Sequence, residues 1–92
     1  MVPIHPGRIL RRELTARDLS ANALARALRV PSGRIVDILN GKRAISAETA
    51  LRLGRYFGND PQFWLNLQAQ YDLAVATREV GARVVREVER AA

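Results

Sequence analysis

The chain contains no cysteine, so neither a disulfide nor a thiolate metal site is available, and a reducing cytoplasm suits it. It has one histidine, His5, near the N-terminus. A lone imidazole is much more often a packing or surface residue than a ligand or catalyst, and no chemistry is assigned to it. Long apolar runs are missing too: nothing approaches the roughly 18 residues of a membrane span, and the N-terminus lacks the basic-then-apolar layout of a signal peptide. A soluble, cytoplasmic protein with no membrane partner is expected. There is also no glycine-rich phosphate loop and no pair of carboxylates at a plausible catalytic spacing. These absences argue against an enzyme, and neither a cofactor nor a metal is expected.

What is present is a basic charge in one half of the chain. Ninety-two residues with 48% hydrophobic content suffice for one small core and are too few for two. The formal net charge is +6. Residues 1 to 60 hold 11 basic and 5 acidic side chains and so carry the whole excess, because residues 61 to 92 hold 4 of each. A basic surface confined to one segment is what neutralising phosphates requires.

Within that half, residues 20–43 read as two short helices around a tight corner. Ser20 is an N-cap, and Leu19 with Leu24 forms a hydrophobic staple. Leu24, Ala25 and Leu28 share one face, and the small Ala25 lets a second helix approach closely. Pro31 ends the first helix by displacing Val30 from helical geometry and lacking an N–H. A second helix from about Ser32 buries Ile35, Ile38 and Leu39, and stops at Asn40-Gly41. This arrangement is similar to the helix-turn-helix of phage-repressor-like DNA-binding proteins, whose corner is most often glycine. Arg29 stands there in this chain, so either it bears about 1–2 kcal/mol of left-handed strain or the corner bends differently.

The flanking chain reads as further helices, giving an all-α fold. Pro6 opens a helix to about Thr15 that buries Ile9, Leu10 and Leu14. Ser46 caps a helix carrying Ala47, Ala50, Leu51, Leu53, Gly54 and Phe57, with Glu48 in its first turn as a dipole-favoured surface residue. Asp60-Pro61 starts the next, with Phe63, Trp64, Leu67, Tyr71 and Leu73 at helical spacing and Phe63 and Trp64 as the plug of the core. Residues 77–92 look helical, with Val80, Val84 and Val88 every four residues and Val85 beside them, but Gly81 costs about 1 kcal/mol and can break the run. Either this tail frays, or its stripe packs on a second copy; the second is favoured.

Ile4-His5-Pro6-Gly7-Arg8-Ile9-Leu10, Val30-Pro31, Arg34-Ile35, Ile38 to Arg43, and Asp60 to Gln68 with Tyr71-Asp72-Leu73 together resemble the HigA antitoxins, also described as VapI-like addiction-module antidotes. The resemblance covers roughly residues 4 to 76 and leaves the tail outside it. Arg29 and Val36 depart from the commoner glycine and small polar residue. It implies a compact five-helix, phage-repressor-like helix-turn-helix domain over residues 1–76, with a C-terminal helical extension over 77–92 for dimerisation or mobility. It further implies a homodimer that neutralises a HigB-like mRNA-cleaving toxin and represses its own operon. A stand-alone repressor without a toxin is the alternative.

In such a motif the second helix lies in the major groove, which makes Ser32, Gly33, Arg34, Val36 and Asp37 the expected base readers. Arg34 can donate to a guanine or merely touch phosphate; Asp37 can accept from a cytosine or hold Arg34. Asn22, Asn40, Lys42 and Arg43 are placed for phosphate. One helix reads few base pairs, so double-stranded operator DNA with an inverted repeat and a two-fold dimer are expected. The dimer surface is expected on the helix from Pro61 and the tail: Phe63, Trp64, Leu67, Tyr71, Val80, Val84 and Val88.

Overall fold

The computed structural model describes residues 2–91, and among them there are five helices and no strand. They are α1 (Pro6–Ala16), α2 (Ala21–Leu28), α3 (Ser32–Leu39), α4 (Ala47–Phe57) and α5 (Pro61–Glu87). Each of the first four is short for an isolated helix, so packing rather than propensity holds them. Their shared core is Leu10, Leu14, Leu24, Ala25, Leu28, Ile35, Ile38, Ile45, Ala50, Leu53 and Trp64.

Side-chain caps start most of these helices. Ser20 Oγ accepts from Ala23 N at 3.0 Å, Ser46 Oγ from Thr49 N at 3.2 Å, and Asp60 Oδ1 from Gln62 N at 2.9 Å. α1 is capped by His5, whose Nδ1 accepts from Gly7 N at 2.9 Å while Pro6 occupies the position where an N–H would be wasted. His5, expected to be a packing or surface residue, also closes a helix end. Gly7 permits α1 to lie on α3, since a Cβ there would overlap the Ile38 carbonyl oxygen.

The corner between α2 and α3 takes the first of the two alternatives. Arg29 is left-handed, with φ 59° and ψ 46°, and the turn closes through Val30 N to Ala25 O at 3.0 Å. Gly41, at φ 74°, supplies the left-handed residue after α3, while Asn40 stays at φ −87°.

α5 differs from expectation at several positions along its length. Gly81 does not break it: the helix runs unbroken across residues 76 and 77 to Glu87, and a single glycine's cost is small once a helix is propagating. Its 27 residues span about 40 Å, which explains molecular dimensions of 52 × 22 × 22 Å. Val88 lies beyond it in an extended conformation. Trp64 alone is the plug, fully enclosed with its indole N–H donating to Asn59 Oδ1 at 3.1 Å, whereas Phe63 is 43% exposed. Leu51 on α4 and Leu73 on α5, both among the apolar positions of their helices, are also exposed. No helix among the described residues is long and apolar enough to cross a membrane.

Candidate nucleic-acid interface

α3 buries Ile35 and Ile38, which leaves Ser32, Gly33, Val36 and Asp37 together on the opposite side. Ser32, Gly33 and Val36 are exposed and Asp37 is half-buried. Val36 is an apolar side chain 40% open to solvent, which the fold's own core does not use. Nor does the fold need Gly33 to be glycine, because a Cβ built on it meets no atom within 4 Å.

Arg34 stands on the flank of that surface and is not held by Asp37. Its Nη1 donates to Glu48 Oε1 at 3.3 Å, from the first turn of α4. The other oxygen, Glu48 Oε2, lies 3.7 Å from Arg52 Nη2, and Arg52 Nη1 donates to the Leu28 carbonyl at 2.9 Å. Glu48, read from sequence as a simple surface residue, therefore ties α3 to α4, and its neighbour Arg52 ties the end of α2 to the same helix. Sequence spacing carries no signal for the pair, whose members lie 14 residues apart on different helices.

The four expected phosphate contacts are all exposed: Asn22 in the first turn of α2, Asn40 as the C-cap of α3, and Lys42 and Arg43 in the loop that follows. Arg11 on α1 reaches Asn40 Oδ1 at 3.5 Å, a long contact that leaves the amide's two N–H donors available. Lys42 and Arg43 enter no ion pair among the described residues. That loop is fixed from behind by two residues that sequence reasoning left without a role. Buried Gln68 on α5 accepts from Ile45 N at 2.8 Å and donates to Asp72 at 2.9 Å. The His5 imidazole packs edge-on against Tyr71, with ring centroids 4.9 Å apart. Burial lowers the His5 pKa from its ordinary value, outweighing a hydrogen bond with the Arg43 backbone and the charge of Asp72, both of which raise it.

Of the residues expected at a dimer surface, Trp64 is corrected to the core, since a fully enclosed side chain has no surface to offer. Leu67 packs partly against the core and Tyr71 is half-buried against His5. Phe63, Val84 and Val88 are exposed, and Val80 is half-buried. Leu73 belongs with Val80 and Val84 on one stripe of α5, diametrically opposite the face that carries Trp64 and Gln68. Among the described residues no group of His, Asp and Glu is gathered as a metal site.

Two helices meeting at a closed corner, with the outer side of the second left open between basic side chains, define a helix-turn-helix DNA-binding protein. The helix-turn-helix family matches residues 10–64 of the chain. Virulence-associated protein I of Dichelobacter nodosus is 55% identical over 80 residues, covering 86% of this chain and 74% of the relative. A HigA-family addiction module antidote protein from Coxiella burnetii superposes with a TM-score of 0.96 at 49% identity, over 99% of this chain and 100% of that one. The antitoxin HigA of Pseudomonas aeruginosa, solved with the higBA promoter, gives the same TM-score, identity and coverage. The chain belongs to the HigA-type antitoxins, a non-enzymatic group of helix-turn-helix DNA-binding regulators.

Proposed function

We propose that the protein binds an inverted-repeat operator upstream of its own gene as a homodimer, represses that operon, and neutralises a HigB-like mRNA-cleaving toxin. The observation that carries the DNA part is the outward side of α3, where Ser32, Gly33, Val36 and Asp37 stand free of the core with Arg34 beside them. A likeness at 49% identity to an antitoxin solved with its promoter supports the same reading. In the groove, Arg34 donates to guanine O6 and N7, Val36 meets a thymine methyl, and Gly33 lets the backbone approach. Ser32 and Asp37 complete the base contacts. Asn22, Asn40, Lys42 and Arg43 neutralise or hydrogen-bond phosphates and set the register without reading sequence. Phe63 and the α5 stripe that includes Val80 and Val84 join the two copies. The toxin part rests on family membership, and its surface is not assigned.

A titration against the operator and its single-base variants, at fixed salt, tests the reading. Arg34→Ala is expected to cost about 1–3 kcal/mol on the cognate site and to relax one position, while Lys42→Ala weakens all sequences alike. Equal, sequence-independent losses from both would remove Arg34 from the readers. Co-purification of the adjacent reading frame's product tests the toxin part, and a lone gene with operator binding intact would leave a stand-alone repressor.

A further inference from the structure

Among the described residues, Arg34 is the one expected base reader with a charged partner, and the partner comes from outside the motif. Each oxygen of Glu48 faces a guanidinium: Oε1 takes Arg34 at 3.3 Å and Oε2 lies 3.7 Å from Arg52. Arg52 is itself fixed by its 2.9 Å bond to the Leu28 carbonyl, at the last residue of α2. Its Nε is buried without a hydrogen-bond partner, so the side chain is held by its two terminal nitrogens. A continuous connection thus runs from the end of α2 through Arg52 and Glu48 to Arg34 on α3. The Arg34 side chain is 26% exposed and that of Glu48 62% exposed, so Glu48 is the more open partner of the pair.

We propose that Glu48 is a positioning residue that converts Arg34 from a general phosphate binder into a selective base reader. This rests on the reading of Arg34 as a groove contact. An unrestrained arginine on a helix beside DNA is drawn to the phosphates of any sequence, and such contacts carry no sequence information. The carboxylate opposes that in two ways. It engages one Nη and leaves the remaining N–H donors of a planar fork in a set direction. Being anionic and exposed, it also repels the phosphates that would otherwise capture Arg34 on unrelated DNA. Glu48 therefore raises the ratio of cognate to non-cognate binding while lowering affinity for DNA in general.

The test uses full-length wild type, Glu48→Gln, Arg34→Ala and the double variant, each titrated with the operator, its single-base variants and an unrelated duplex at one salt concentration. Ratios between duplexes measured on one preparation cancel any change in the folded fraction. Glu48→Gln is expected to bind the unrelated duplex more tightly. Its cognate-to-variant ratio should fall roughly two- to tenfold at the base pair where Arg34→Ala also loses discrimination, and nowhere else. The double variant should lose no more there than Arg34→Ala alone. A uniform change across all duplexes from Glu48→Gln, or losses that add in the double variant, would overturn the proposal while leaving Arg34 a reader. If Arg34→Ala discriminates as wild type does, the reading of Arg34 falls, and the role of Glu48 with it.

Discussion

At Gly33 the demands of the fold and those of DNA separate. A Cβ there meets nothing in the protein, and α3 would gain from losing a flexible residue. Gly33→Ala is therefore expected to raise stability by about 0.5–1 kcal/mol in a denaturant titration. The same methyl group points into the space proposed for the DNA, so operator affinity should fall. Stability gained with affinity unchanged would take Gly33 away from the contact surface. His5 offers a second case, in which protonation is the variable. Neutral Nδ1 accepts from Gly7 N–H; protonation turns that acceptor into a donor and opens the cap. The folded pKa is lowered, so the unfolded chain takes up the proton first. The contribution is complete above the ordinary value of 6.5 and is lost as pH falls below it toward the folded value. His5→Asn keeps a capping oxygen that does not titrate near neutrality, so its melting temperature should depend less on pH than that of wild type between about pH 7.5 and pH 5. Parallel profiles would mean that the cap does not titrate with His5.

Among the helices, α5 carries more than its own packing, because it reaches back to the loop that precedes α4. Ile45 N–H has no helical partner and is satisfied by the Gln68 side chain across a separation of 23 residues. Gln68→Leu keeps the bulk and removes the acceptor, which leaves a buried N–H unpaired at a cost of about 1–3 kcal/mol in a denaturant titration. A neutral result would show that water or a shift of the loop replaces the bond. This contact also marks where the sequence stops being legible. The helix ends were readable because their signals are local: Ser20, Ser46 and Asp60 with Pro61 begin helices, and Asn40-Gly41 ends one. The corner at Arg29 was readable only as a choice between strain and a different bend, since the deciding bond, Val30 N to Ala25 O, depends on how α3 settles on α2. Gln68 with Ile45, Glu48 with Arg34 and His5 with Tyr71 join segments far apart in the chain, and no periodicity encodes them. Helical spacing likewise grouped Phe63 with Trp64, although neighbouring residues on a helix point about 100° apart and only Trp64 turns inward.

For the whole molecule, the outward stripe of α5 and the basic half of the chain make one prediction together. Leu73 is 69% and Val84 48% exposed, on a helix that reaches beyond the compact core formed with α1 to α4. An apolar stripe on a projecting helix gains by pairing with its own copy, and a two-fold pair sets two α3 helices to reach half-sites about 34 Å apart. The joint substitution Leu73→Asp with Val84→Asp places two charges per copy on that stripe. Both positions are already exposed, so the variant should keep its helical signal while sedimenting as a monomer. Losing the second recognition helix should then weaken operator binding on the order of a hundredfold, since the second contact is no longer made at high effective concentration. Salt dependence separates this from a simple charge effect. Added carboxylates remote from DNA leave the number of phosphates neutralised per protein unchanged, whereas going from dimer to monomer should roughly halve the slope of log affinity against log salt. A variant that remains dimeric, or a monomer that retains the full slope, would mean that the two copies meet on another surface or that a single copy makes all the contacts.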